Sequence, residues 1–222
     1  MDYASYLQLL LSGVSVTLLL MLCALFFGFI LALLMTIGSF SDSLVAKKLV
    51  ASVIFFIRGT PLLVQIFLIY FGIGQFEWLR DSYLWFVFSS ATVCAIIALS
   101  INTACYTTIL FQGAINSVPK NEIAACYAIG MSKWLAFRRI IFPRALRMAL
   151  PAYSNEVVMI LKGTSLASTI TLLDIMGVIQ QLIAQTYNTV SLYCVAGVLY
   201  LTIHAVITLI FNALIRRYSS VH

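Results

Sequence analysis

Glu156 and Lys162 are ionisable residues set in a stretch otherwise suited to the interior of a bilayer. Around them, from about Leu150 to Leu172, stand Asn155, Thr164, Ser165 and Ser168, which makes this the most polar of the long apolar runs. A charge inside a membrane is costly unless it is paired or wetted, so such residues are functional candidates by default. On a regular helix Glu156 and Lys162, six apart, lie about 240° from one another and cannot pair, whereas Asn155 and Lys162, seven apart, share a face. Glu156 therefore either faces a wet central cavity, attracting a cationic or α-amino group, or pairs with a Lys or Arg of a partner subunit. Lys162 reads as structural, tying Asn155's face to a carbonyl or snorkelling to the interface. Gly163-Thr164-Ser165 would loosen the helix and offer backbone groups to a bound solute, as discontinuous membrane helices do.

Three further polar residues lie in apolar runs: Gln65, Asn102 and Tyr106. Asn102 and Tyr106 are four apart and share a helix face. Each of the three either contacts a solute or serves as interhelical glue. Asp174 falls near the outer end of the same run as Glu156, as a gate residue or a solvated loop acid. No catalytic constellation is present. There is no H-E-x-x-H and no G-x-S-x-G, and Leu161-Lys162-Gly163-Thr164-Ser165 lacks the first glycine of a phosphate loop and places its lysine ahead of the glycine. The five cysteines contain no C-x-x-C pair and the two histidines are isolated, so no metal site is suggested.

The elements that must position these residues are membrane helices. Of 222 residues, 63% are hydrophobic and only 9% charged, with a mean hydropathy of +1.06, which excludes an ordinary soluble domain. Five apolar runs are long enough to cross: a core near Val14–Ile37, then about Leu49–Gly74, Phe86–Ala114, Leu150–Leu172 and Leu192–Ile215. The second is interrupted by Pro61, which has no N–H to donate, so the helix there is kinked or starts afresh. The net charge of +6 is read as topology, not nucleic-acid binding. Lys47, Lys48 and Arg58 of the loop after the first span, the six cations of the third connection and Arg216-Arg217 fall on one side, which leaves Arg80 outside and Lys162 within a span. By the positive-inside bias this predicts an all-α, polytopic membrane protein of five spans in one domain, N-terminus outside and C-terminus cytoplasmic.

The one long basic segment is residues 119–151. It carries Lys120, Lys133, Arg138, Arg139, Arg144 and Arg147, is punctuated by Pro119, Pro143 and Pro151, and has Gly130 near its middle. Small residues Ala124, Ala125 and Ala128 would let a short helix enter a groove, and Gly130 would permit a sharp turn after it.

Ala124-Ala125, Gly130, Ile140 and Pro143 resemble the EAA loop of bacterial ABC importer permeases. Arg58-Gly59-Thr60-Pro61-Leu62-Leu63-Val64-Gln65 is similar to the second-span signature of the polar amino acid uptake family. Asn155, Lys162, Thr164, Ser165 and Leu166 resemble that family's fourth-span pattern. Within the family the resemblance is to the M-type permease subunits of arginine importers. It implies the type I importer permease fold, with Pro61, Asn155, Lys162 and Thr164 as structural residues of the spans. Ala124, Ala125, Gly130, Met131 and Ser132 would form the surface that couples to an ATPase. The chain departs from the pattern at Ala124, where the family's loop has an acid, and at Cys126, where it has its second alanine.

The resemblance also implies partners. These are a homologous permease in a heterodimer or homodimer, two copies of an ABC ATPase, a periplasmic or extracellular solute-binding protein, and the lipid of a bacterial inner membrane. The chain itself would be no enzyme and would bind no cofactor, with ATP on the partner ATPase. The reading from another class is a non-transporting membrane scaffold or assembly subunit, which would need neither an intramembrane acid nor a coupling loop.

Overall fold

A computed structural model describes residues 3–83 and 85–219, and among them every regular element is helical. Helix α1 (Tyr3–Phe40) is uncharged and apolar on all sides, as a membrane helix must be. After a three-residue turn, Ser43 accepts a hydrogen bond from the Ala46 N–H and starts α2 (Leu44–Gly59). α2 runs back along α1, with Val50 and Ile54 buried beside Ala32 and Met35. It stops at Thr60-Pro61, both extended, and α3 (Leu62–Phe67) begins afresh, passing into a wide turn over Leu68–Gly72. The two directions differ by 106°, so the chain breaks at Pro61 and does not merely kink.

Helix α4 (Ala91–Asn116) is capped by Ser90 and is the central column, with Ala95, Ala98, Leu99, Ala104 and Cys105 fully buried. Small residues bring α1 against it. A Cβ at Gly28 would stand 2.2 Å from Thr103 Cγ2 and 3.0 Å from the Ser100 carbonyl oxygen, so only glycine allows this approach. One core unites α1, α3 and α4 with the later helices through Leu20, Ile66, Leu99, Ile160, Leu161 and Ile170.

The 119–151 segment is helical almost throughout. α5 (Lys120–Ala128) ends in a turn where Gly130 takes φ +84°. A helix then begins at Lys133, with Ser132 accepting from the Leu135 N–H as its cap. It widens over Phe137–Ile141 and continues as α6 (Phe142–Thr164). The widened turn lies just ahead of Pro143, which cannot donate to the preceding turn. Pro151 is carried inside α6 without a break. The expected boundary near Leu150 is therefore corrected: the helix that bears Glu156 starts inside the basic segment. Its uninterrupted run from Lys133 to Thr164 spans roughly 45 Å.

After α6 a tight helical turn, Ser165–Ile170, and Thr171 at φ 73° lead to α7 (Ile175–Thr186), an element that the sequence reading leaves as part of a connection. α8 (Thr189–Ser219) closes the chain with Arg216 and Arg217 in its last turn. Three helices, α1, α4 and α8, are each long and apolar enough to cross a bilayer; counting each of two bent pairs as one crossing raises that to five.

Candidate functional site

The sequence candidates converge around the middle of α4. Asn102 is buried and its Nδ2 donates to Gln65 Oε1 at 3.0 Å. Gln65 Nε2 donates in turn to the Ile57 carbonyl at 2.7 Å and to the Thr60 carbonyl and hydroxyl, both at 3.0 Å. The Thr60 hydroxyl donates to the Phe56 carbonyl at 2.9 Å. These bonds have one cause: Pro61 has no N–H, so the last carbonyls of α2 need donors from side chains. Gln65 and Asn102 therefore act as a clasp between the broken helix and α4, with the Gln65 amide nitrogen engaged inside the chain.

On the next face of α4, the Thr103 hydroxyl donates to Glu156 Oε1 at 2.8 Å. Glu156 is half-buried, makes no ion pair among the described residues, and keeps its second oxygen free of any described partner. Tyr153, one turn before it on α6, packs edge-to-face on Phe29 and stacks with Phe111.

One turn further along α4, Tyr106 carries Arg58, whose guanidinium carbon lies 5.0 Å from the ring centroid. Arg58 is not a loop residue, as the charge count takes it to be. It ends α2, one residue before Gly59, and it is within electrostatic reach of Glu156. Its place ahead of the Gly-Thr-Pro break is the signal that could have singled it out. Arg58 and Tyr106 line a cleft of about 690 Å³ between α2 and α4.

The remaining candidates are dispersed. The Ser165 hydroxyl turns back to the Lys162 carbonyl at 2.6 Å, and the fully buried Thr164 donates to the Leu161 carbonyl at 2.7 Å. Asp174 is fully buried, which corrects its reading as a solvated loop acid. Its Oδ1 accepts from the Gly177 N–H at 3.0 Å and caps α7, while the Tyr200 hydroxyl donates to Oδ2 at 3.4 Å. Beside it the Ile175 N–H donates to Thr17 Oγ1 at 3.1 Å, so this network ties α7 to α1 and α8. Asn155 and Lys162 are exposed on one face of α6 with Met148 and Met159, and neither polar side chain has a partner among the described residues. Lys162 thus ties to no carbonyl of the described residues.

In the basic segment Ala124, Ala125, Gly130 and Ser132 are exposed and Met131 is half-buried. Beside them Ile129 and Trp134 are exposed apolar residues at 75% and 69%. Cys126 faces inward. Glu122, offset from the family's acid position, forms an ion pair with Arg144 of the chain's own next helix.

Residues 24–220 match the family described as binding-protein-dependent transport system inner membrane component. The chain belongs to that family. It is 42% identical over 212 residues to the arginine ABC transporter permease protein ArtM of Haemophilus influenzae, covering 96% of this chain and 93% of the relative. The ArtM of Escherichia coli K12 is 46% identical over 170 residues, 76% of each chain. The nopaline transport system permease protein NocM of Agrobacterium fabrum is 45% identical over 200 residues, 90% of this chain and 83% of the relative. The crystal structure of an amino acid ABC transporter with histidines superposes with a TM-score of 0.87 at 28% identity, covering 98% of this chain and 99% of that one. The architecture is thus the type I ABC permease fold, a multi-pass helical membrane subunit. An inward-facing structure of the MetNI methionine transporter shares that fold with a TM-score of 0.78 at 18% identity.

Proposed function

We propose that the chain is the permease subunit of a bacterial inner-membrane ABC importer for basic amino acids, arginine first among them. The observation that carries this reading is Glu156, a carboxylate that reaches the α4 column inside the bundle and that forms no ion pair among the described residues. A carboxylate held there attracts a cationic solute. Support comes from the arginine and nopaline permeases to which the chain is similar, since arginine is cationic.

The chain would cross the membrane five times with the N-terminus outside and the C-terminus inside, a reading supported by counting each bent helix pair as one crossing and by the positive-inside bias of the cation-rich ends. A second permease of the same fold would pack on the exposed Asn155–Lys162 face of α6, which lipid would leave unsatisfied. Two ATPase copies would dock on the Ala124–Ser132 surface, and a solute-binding protein would deliver substrate from outside. Coupling needs no separate linker. The helical run that continues as α6 extends without a break from Lys133, next to the docking surface, to Glu156, so displacement of its cytoplasmic end moves the site directly.

The test is reconstitution with the cognate permease, ATPase and binding protein, followed by a screen for the amino acid that stimulates ATP hydrolysis. Arginine is expected to lead, and Glu156→Gln is expected to depress uptake of basic amino acids in an assembled complex. Stimulation by neutral amino acids alone would overturn the substrate assignment. An assembled complex that no amino acid stimulates would favour the scaffold reading.

A further inference from the structure

Arg58 is the strongest group that the proposed transport site has not used. It ends α2 after the uncharged run Leu49–Ile57, about 16 Å of helix from Lys47. A cation so placed needs a counter-charge, yet among the described residues it forms no ion pair. It lies instead over the Tyr106 ring, which occupies one face of the planar guanidinium and leaves its in-plane N–H edge for a ligand. That edge borders the cleft of about 690 Å³, whose walls include Ile54 and Ile109 and which also takes in Ser39, Lys47 and Gln112. Among the described residues no acid lines the cleft, and the two charges that do are positive. Its size falls in the range of small-molecule sites. The group it would recognise is planar and anionic, since a guanidinium binds a carboxylate through two parallel N–H bonds.

We propose that Arg58, seated on Tyr106, is the subsite for the α-carboxylate of the transported amino acid. The proposal rests on the amino acid permease reading and deepens it. Tyr106 and the Thr103 that holds Glu156 are one turn apart on α4, a rise of about 4.5 Å. An anion receptor and a free carboxylate oxygen thus stand on adjacent turns. This is the charge pattern that a zwitterion with a basic side chain requires. It also explains how a cleft with two cations can serve a cationic solute: the carboxylate is what enters it.

The experiment uses the permease pair with its ATPase in nanodiscs, without the binding protein, which would itself select for the carboxylate. Binding of labelled L-arginine is compared with binding of agmatine, the same molecule without its carboxylate. The wild-type complex is expected to prefer arginine. Arg58→Gln should weaken arginine roughly ten- to a hundredfold, the range for a lost charge-assisted pair, and leave agmatine unchanged. Arg58→Lys keeps the charge but not the fork, so it should retain part of the preference; it carries the test if the glutamine variant does not assemble. Equal weakening of both ligands, or unchanged arginine binding, would overturn the subsite while leaving the permease reading intact. A wild-type complex that binds no amino acid would overturn both.

Discussion

The side-chain nitrogen of Gln65 donates to the Ile57 carbonyl at 2.7 Å, in the place that the nitrogen of Pro61 cannot fill. A proline four residues past a helical carbonyl removes its donor, and inside a membrane water does not replace it. Gln65 replaces it, and Asn102 then anchors Gln65 to α4. Gln65→Leu should leave the Asn102 amide unsatisfied and the Ile57 carbonyl with only the long 3.3 Å bond from the Thr60 hydroxyl, at a cost of about 2 kcal/mol or more. Thermal unfolding of the purified complex would read this as a lower midpoint. Adding Pro61→Ala restores an N–H, so the double variant should recover part of the loss. An additive double variant would show that the two residues do not share the carbonyl.

Gly130 is a test of backbone conformation uncomplicated by packing. Its φ is +84°, and nothing lies within 4 Å of where a Cβ would stand. Gly130→Ala should therefore cost only the left-handed strain, about 1–2 kcal/mol, and Gly130→Asn less, because asparagine tolerates that region. With assembly intact, ATPase stimulation by loaded binding protein should rank glycine, then asparagine, then alanine, with valine lowest. Equal activity in all four would remove the turn from the coupling path.

Glu122 and Arg144 join α5 to the start of α6 across the coupling turn. Both are partly exposed, so the pair is worth about 0.2–1 kcal/mol in stability, and its role is orientation. Glu122→Arg should reduce the transport rate more than it reduces thermal stability, and the exchange Glu122→Arg with Arg144→Glu should restore it. Failure of the exchange to rescue transport would assign Glu122 to a contact with the ATPase instead.

Asp174 is expected to behave as a buried cap and not as a gate. Asp174→Ala removes the Gly177 cap and leaves the Tyr200 hydroxyl without its acceptor, a loss of about 1–3 kcal/mol. Asp174→Asn keeps an acceptor for the cap and should lose less. In both variants the KM for the transported amino acid should remain that of the wild type in the fraction that assembles. A raised KM at unchanged stability would return Asp174 to the transport path.

The exposed Asn155, Met159 and Lys162 face of α6 should lie against a second permease. Single cysteines at Asn155 and Met159 should cross-link to the partner subunit under mild oxidation, whereas a cysteine at the buried Ile160 should not.

Much of this molecule was legible from one dimension. The uncharged runs reflect the cost of charge in lipid, which acts on every residue of a span, and α1, α4 and α8 follow from composition alone. The break at Pro61 and the turn at Gly130 were equally readable, because each depends on the covalent structure of a single residue. Glu156 stood out because an acid is rare in such a run.

Tertiary structure decided what those residues meet. Gln65 and Asn102 are 37 positions apart, and only the fold back at Pro61 makes them a clasp. Asp174 read as either a gate residue or a solvated loop acid, because its cap, Tyr200 and the neighbouring Thr17 site come from three separate helices. The start at Lys133 of the helical run that continues as α6 was hidden by Pro143 and Pro151, which break helices in isolation but are accommodated here by a widened turn and by packing. Arg58 was counted as a loop charge, since proximity to Tyr106, 48 residues away, is a property of packing between α2 and α4. Local chemistry and the bilayer's uniform cost are written into the sequence residue by residue. Which side chain satisfies which orphaned group depends on the distances between helices, and those exist only once the helices have packed.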